Sequence, residues 1–218
     1  IPKGLVGSEM CIRDSYTFGE NDWSDENWIE GVSDYFLSKT KAEKAAWRLM
    51  ESKGLKNKLT TINPGGVFGD ALDKKGGTSI EYIRQFMKGK FPGAPKFAVL
   101  ISDVKDIAKA HVACIGNNKV GGRRLIVGKD VKRLVELSQL IAEAMPEYKK
   151  KLPKKELPNL MVKLISYIDS SAKTMIPDLG IMMQTDTSYA EEILGFKFKP
   201  AKGCISENAK SVVRLGLV

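Results

Sequence analysis

Histidine and cysteine, the side chains that most often bind transition metals, are scarce in this sequence. The 218 residues include one histidine and three cysteines, Cys11, Cys114 and Cys204, with no C-x-x-C pair. A structural zinc site needs about four such ligands, so no metal site is expected. The odd number and wide spacing of the cysteines argue against a disulfide framework and predict a reducing, cytoplasmic location.

Long apolar runs are also missing. The run from Leu160 to Ile168 is interrupted by Lys163 and falls well short of the roughly 20 residues that a membrane-spanning helix needs. The first 15 residues, IPKGLVGSEMCIRDS, lack a starting methionine and the order of a secretory signal. We predict no membrane association, and we interpret residues 1–15 as a non-native head.

Positive charge is in excess, with a formal net charge of +9. Such an excess can indicate nucleic acid, an anionic membrane or phosphorylated small molecules as partners. The densest block, KKKLPKKE at 149–156, is broken by Pro153 and contains no aromatic residue that could stack on bases. We interpret it as a solvated loop and predict no nucleic-acid partner.

Helix and strand patterns alternate after the head. The predicted elements are a helix over 33–53, a strand over 59–64, a helix from Thr78 to a stop at Gly89, a strand in FAVLI, a helix opened by Asp103 and a strand in RRLIVG. After Val131 the pattern is mostly helical, with helices at about 132–145, 158–169 and 188–194. This order predicts an α/β protein with a doubly wound, Rossmann-type parallel sheet and a smaller, mostly helical lobe.

Side-chain periodicity predicts which helix faces are buried. In the first helix the expected buried stripe consists of Ala42, Ala45, Ala46, Leu49 and Met50. His111 falls in the apolar stripe of its helix, so we expect a hydrogen-bonded core histidine and no catalytic role. Cys114 and Cys204 lack a neighbouring base and are expected to be buried.

Two helix starts carry the spacing of a capping box. The pairs are Thr78 with Glu81 and Ser188 with Glu191, each with the acidic residue three positions after the hydroxyl. In such a box each side chain bonds to the backbone of the other residue.

Tyr35 and Lys39 stand four residues apart near the start of the first helix. This spacing puts an ammonium about one turn from a phenol on the same face. A phenol with a pKa of about 10 is a slow acid at neutral pH, and a nearby positive charge lowers such a pKa. Taken alone, the pattern more often means two ordinary surface residues.

Tyr35 and Lys39 lie within an ordered series of sequence segments. The segments NDWSD, VSDYFLSKTKAEKAAW, TTINPGGVFG, DVKDIAKAH, GGRRLIVG and YAEEILGFKFKP follow one another in order from Tyr16 to the C-terminus. This ordered set resembles the extended short-chain dehydrogenase/reductase family, within the NAD-dependent epimerase/dehydratase superfamily. The similarity is strongest to the branch of dihydroflavonol reductases and bacterial aldehyde or ketone reductases.

The resemblance implies hydride transfer between NADP or NAD, with NADP favoured, and a small carbonyl or alcohol substrate. By the same resemblance Tyr35 is the proton donor, and Lys39 lowers its pKa. Both residues are expected to contact the cofactor, Lys39 through the nicotinamide ribose. The segment Pro64, Gly65, Gly66 and Val67 would lie beside the nicotinamide, its small residues letting the backbone approach. Residues 16–128 would form the remainder of the dinucleotide-binding domain and 129–218 the substrate lobe, in a monomer or homodimer.

Two parts of the family pattern are absent. No G-x-x-G-x-x-G occurs, because Met10 stands where a third glycine would follow Gly4 and Gly7. No upstream serine matches the one that binds the substrate carbonyl in the family. We therefore expect an N-terminally truncated chain that is inactive by itself. A nucleotide-sugar epimerase or dehydratase and a non-catalytic basic α/β fragment remain alternatives.

Overall fold

The computed structural model describes residues 16–24, 34–75, 77–167, 176, 179–180 and 182–218. Within these residues the helices are α1 (Asp34–Ser52), α2 (Thr78–Met87), α3 (Val104–Cys114), α4 (Leu134–Ala144), α5 (Asn159–Ile165), α6 (Ser188–Leu194) and α7 (Ala201–Arg214). The strands are β1 (Thr17–Phe18), β2 (Thr60–Pro64), β3 (Gly66–Phe68), β4 (Ala98–Asp103), β5 (Arg123–Val127), β6 (Val131–Arg133) and β7 (Gln184–Thr185). The predicted head, residues 1–15, lies outside the described residues.

The strands pair mainly in parallel. β2 runs beside β5, with Thr60 opposite Arg123 and Pro64 opposite Val127, β3 runs beside β4, and β1 beside β7. Parallel neighbours require crossover connections, which the intervening helices supply. The predicted α/β class with parallel strands is confirmed, although β6 is an additional strand that pairs antiparallel with β4.

β2 ends at Pro64, where the predicted cofactor segment begins. In the part of the chain that the structure describes, β2 pairs only with β5, so its second edge has no strand partner. A strand edge presents unpaired backbone groups that a further strand can satisfy.

Two apolar cores support these elements. The first packs α2, β4, α4 and α7 together and contains Ile83, Phe86, Met87, Ile101, Leu137, Ile141, Cys204 and Ile205. The second lies between α3, β5 and α6 and contains Ala110, Val120, Leu125, Val127, Ala190 and Phe198. Each fully buried large side chain contributes about 1.5 to 3 kcal/mol relative to exposure. The first core combines residues from both sides of the boundary drawn at 128/129, and that division stays a prediction.

The predicted buried face of α1 is only partly correct, because Ala46 and Met50 are half-buried and the other three residues are exposed. Ala42, Ala45 and Leu49 are exposed, whereas Thr40 is the buried residue of the helix and Glu43 is nearly buried. Hydrophobicity pointed to the other side because it takes no account of a carboxylate that finds enough hydrogen-bond donors to be buried.

The expected core position of His111 is also wrong. His111 is exposed, with Nδ1 2.8 Å from the carbonyl oxygen of Ile107. The buried residues of α3 are Asp106 and Ala110, so the packed face is rotated away from the apolar stripe. Asp106 tolerates burial because its Oδ2 accepts from the backbone N–H of Lys199 at 2.6 Å.

Neither capping box forms. Thr78 is already the first residue of α2 and the side chain of Glu81 binds Arg84 and Gln85. In α6 the buried carboxylate of Glu191 accepts hydrogen bonds from Lys129, from Lys197 and from the backbone N–H of Phe198. It makes no bond to Ser188. In both helices the glutamate binds cationic side chains, and its carboxylate does not bond to the backbone at the helix start.

Several helix boundaries are confirmed. Asp103 caps α3 by accepting from the backbone N–H of Lys105 at 2.8 Å, and the helix predicted over 188–194 matches α6. Gly89 and Gly195 follow their helices with φ of 70° and 76°, a conformation that favours glycine.

The C-terminal helix, α7, was not predicted. Its buried residues include Asn208 and Ser211, which interrupt the apolar pattern. Asn208 Nδ2 donates to the carbonyl of Gly69 at 2.6 Å, and Ser211 Oγ accepts from the backbone N–H of Ala71 at 3.0 Å. Cys204 is buried as expected, while Cys114 is only half-buried. Burial raises the pKa of both thiols.

Candidate active site

Tyr35 and Lys39 lie together in the first turns of α1. Lys39 Nζ is 5.3 Å from the centre of the Tyr35 ring, so the expected proximity of ammonium and phenol is present. Tyr35 is 64% exposed, and its ring contacts Phe36 edge to face. Within the described residues the Tyr35 hydroxyl has no hydrogen-bond partner, which leaves it open to an incoming group.

The segment that joins β2 to β3 is packed tightly against β4. The Gly65 N–H donates to Ser102 Oγ at 2.9 Å, and a Cβ at Gly65 would lie 2.2 Å from the carbonyl oxygen of Leu100. A Cβ at Gly66 would lie 2.9 Å from Val99 Cγ2. Packing against β4 therefore accounts for both glycines by itself. Binding of a cofactor by Pro64, Gly65, Gly66 and Val67 stays a prediction.

One cavity borders β3, and a second borders α7. The smaller, of about 170 Å³, is lined by Val67, Phe68, Asp70, Leu72, Ile80 and Val104 among others. The larger, of about 370 Å³, is lined by Asp70, Lys105, Glu207, Lys210, Ser211 and Arg214. Tyr35 and Lys39 line neither cavity, and in the described part of the chain no hydrogen bond joins them to the Pro64–Val67 segment.

A polar contact connects α1 to the sheet. Glu43 lies one turn after Lys39, and its carboxylate accepts from Arg124 Nε at 2.8 Å and Nη2 at 3.1 Å. It also accepts from Thr61 Oγ1, at 2.7 Å, on the strand that ends at Pro64. Sequence reasoning missed Glu43 and Arg124. The available signal was the continued four-residue spacing from Tyr35 through Lys39 to Glu43, which puts all three on neighbouring parts of one helix surface.

Among residues 16–24, 34–75 and the later described ranges, no group of three or more histidine, cysteine, aspartate or glutamate side chains is placed to bind a metal ion. No described helix combines the length and apolar character needed to cross a bilayer.

Comparison with known proteins shows similarity to reductases. The NADPH-dependent methylglyoxal reductase of Saccharomyces cerevisiae is 30% identical over 215 residues, which cover 92% of this chain and 58% of the relative. Cinnamoyl-CoA reductase 2 of Arabidopsis thaliana is 26% identical over 198 residues, covering 90% of this chain and 53% of the relative. No family model matches the chain.

Solved structures agree with these relatives. The crystal structure of yeast methylglyoxal/isovaleraldehyde reductase complexed with NADPH superposes with a TM-score of 0.72 at 27% identity, covering 94% of this chain and 59% of that chain. These similarities support the resemblance to the extended short-chain dehydrogenase/reductase family that the sequence predicts. The chain spans little more than half the length of these relatives.

Proposed function

We propose that the whole protein to which this chain belongs is an NADPH-dependent reductase that converts a small carbonyl compound to an alcohol, with Tyr35 as proton donor. The observation that carries the proposal is the Lys39 ammonium 5.3 Å from the Tyr35 ring on an open surface. Support comes from the relatives, since the yeast methylglyoxal reductase is NADPH-dependent and a related crystal structure contains NADPH.

The residues present fit one end of such a cofactor. Lys39 offers an exposed ammonium with three N–H donors, which suits the hydroxyl groups of a ribose. The Pro64–Val67 segment follows the carboxyl end of β2, where parallel α/β sheets bind nucleotides. The sequence holds no glycine-rich phosphate-binding motif. Residues elsewhere in the whole protein would therefore hold the diphosphate, and this chain alone is expected to bind NADPH weakly.

The chain's own groups would act on the proton. When bound, NADPH supplies the hydride that reaches the carbonyl carbon. The Tyr35 hydroxyl donates its proton to the carbonyl oxygen, so that the product leaves as a neutral alcohol. The Lys39 ammonium, next to the ring, stabilises the phenolate that remains until a solvent proton restores it. Lys39 would also hold the ribose of a bound NADPH and so fix the orientation of the nicotinamide relative to the substrate.

The test uses the complete reading frame. Methylglyoxal and a panel of aldehydes and ketones are offered with NADPH or NADH, and the loss of reduced cofactor is followed together with the alcohol formed. The proposal expects one alcohol for each NADPH consumed and a clear preference for NADPH over NADH. An epimerase would turn over its substrate without net consumption of cofactor, and that result would contradict the proposal.

A further inference from the structure

Glu43 is surrounded by hydrogen-bond donors. Its Oε1 accepts from Thr61 Oγ1 at 2.7 Å, Arg124 Nε at 2.8 Å, Trp47 Nε1 at 3.2 Å and Asn63 Nδ2 at 3.3 Å, and its Oε2 accepts from Arg124 Nη2 at 3.1 Å. The side chain is only 14% exposed. These donors come from α1 itself, from two residues of β2 and from β5, so one carboxylate joins three elements.

Arg124 is held equally firmly on its other side. Nη1 donates to the carbonyl oxygens of Glu20 and Asp22, each at 2.7 Å, and the guanidinium carbon lies 3.7 Å from the centre of a Trp23 ring. A guanidinium is planar and carries its donors in fixed directions, so a partner that binds two of its nitrogens is fixed in orientation. The position of Glu43 is therefore determined by the sheet and by the segment at 20–23.

Few apolar side chains of α1 are fully buried among the described residues. Thr40 is the buried residue of this 19-residue helix, and the apolar side chains of Ala42, Ala45 and Leu49 face outward in the described structure. Helices in globular proteins are normally fixed by a buried apolar stripe. In α1 the hydrogen bonds of Glu43 join the helix directly to β2 and β5.

We propose that Glu43 is a positioning residue, clamped by Arg124, that fixes the rotation and tilt of α1 and so places the Tyr35 hydroxyl and the Lys39 ammonium. The inference rests on the proposed reductase function for its catalytic consequence. Glu43 is one turn from Lys39 and two turns from Tyr35, so a small rotation at Glu43 moves both groups. A displacement of about 1 Å in such a site costs on the order of 10²-fold in rate.

The variants separate orientation from charge. In the whole protein, Glu43→Gln removes the carboxylate charge and part of its acceptor capacity, and Arg124→Lys keeps the positive charge but loses the two-nitrogen geometry. Glu51→Gln is the matched control, because Glu51 is on the same helix but is exposed and pairs only with exposed Lys56 in the described structure. Thermal unfolding, NADPH affinity, kcat and KM are measured for each.

Both Glu43→Gln and Arg124→Lys are expected to lower kcat by about 10-fold or more in folded protein, with KM changed much less. Glu51→Gln is expected to keep normal kcat. If the two variants lower only the melting temperature and leave kcat normal at a temperature where they are folded, Glu43 is merely structural and the inference is wrong.

A spectroscopic measurement tests the placement without relying on activity. Tyrosine is replaced by 3-fluorotyrosine, and the ¹⁹F resonance of position 35 is assigned by its loss in Tyr35→Phe. Glu43→Gln and Arg124→Lys should shift this resonance, whereas Glu51→Gln should not. A shift in a protein that fails to consume NADPH would leave the positioning role standing and reject the proposed function. An unchanged resonance would overturn the positioning role.

Discussion

The Lys39 ammonium lies over the Tyr35 ring, 5.3 Å from its centre, on a part of α1 where Tyr35 is 64% exposed. This arrangement gives Lys39 access both to the phenol and to any ligand that approaches the same surface. Loss of the Lys39 ammonium should therefore affect both ligand binding and the rate of the chemical step.

Lys39→Met in the whole protein is expected to weaken NADPH binding and to lower kcat by about 10-fold or more, because the variant loses a charge next to the proposed proton donor and the proposed contact to the ribose. Fluorescence titration of NADPH and steady-state kinetics measure the two effects. Lys41→Met, at an exposed position two residues further along α1, is the control and should leave both values normal. Normal NADPH affinity in Lys39→Met would contradict the assigned cofactor contact.

Gly65→Ala tests the close packing of the segment between β2 and β3. The added Cβ would lie 2.2 Å from the carbonyl oxygen of Leu100, so the backbone of β4 would have to move. We expect a loss of about 2 to 4 kcal/mol in the free energy of unfolding, typical of overpacking against atoms that cannot rearrange. Urea unfolding followed by circular dichroism measures this change.

The matched control for that variant is Gly203→Ala in α7. There the nearest atoms to the added Cβ belong to the flexible side chain of Lys199, at 3.4 Å. Alanine has the higher helix propensity, so this variant should be neutral or slightly more stable. Equal stability of both variants would show that β4 yields easily at Leu100.

Glu191 makes stability depend on pH. Burial alone would raise its pKa, but hydrogen bonds from Lys129, from the backbone N–H of Phe198 and from Lys197 outweigh burial and lower the pKa from 4.5 to about 2. The unfolded chain therefore binds this proton more readily than the folded protein does. The stabilisation is present above about pH 4.5 and is lost as the pH falls towards about 2.

This dependence can be measured by urea unfolding at a series of pH values between about 5 and 2. The contribution of Glu191 at neutral pH is of the order of 3 kcal/mol by the same linkage. Glu191→Gln should be less stable at neutral pH and should lose less stability on acidification. Glu192→Gln, at the exposed neighbouring position, should retain the full acid sensitivity.

Local signals in the sequence predicted much of the fold. The β-branched run that forms β2, the aspartate cap of α3 and the glycines that end α2 and α6 each act within a few residues. Such features depend on nearby backbone geometry, which the sequence states directly.

The helix faces that the sequence did not predict depend on contacts between residues that are far apart in the chain. Glu43 is nearly buried on α1 because Arg124 reaches it from 81 positions away, and Asn208 is buried on α7 because of the carbonyl of Gly69. His111 stays at the surface because Asp106, on the packed face of α3, is satisfied by the backbone of Lys199. A polar residue is predicted to lie at the surface when its partner is unknown. The packed faces of α1, α3 and α7 were therefore assigned only in part, assigned wrongly or missed.

The same rule explains the candidate site. The four-residue spacing of Tyr35 and Lys39 is a local property and predicted their proximity. The clamp at Glu43 depends on β5 and on the segment at 20–23, so the spacing alone could not identify its role.

The most direct test of the reductase function is Tyr35→Phe in the whole protein, with turnover and NADPH affinity measured on the same samples. The change removes one hydroxyl from an exposed ring, so folding should be unaffected. Carbonyl reduction should fall by about 10² to 10⁴-fold, as is typical when a general acid is lost, while NADPH affinity changes little. Near-normal reduction by Tyr35→Phe would contradict the account, because another group would then have to donate the proton.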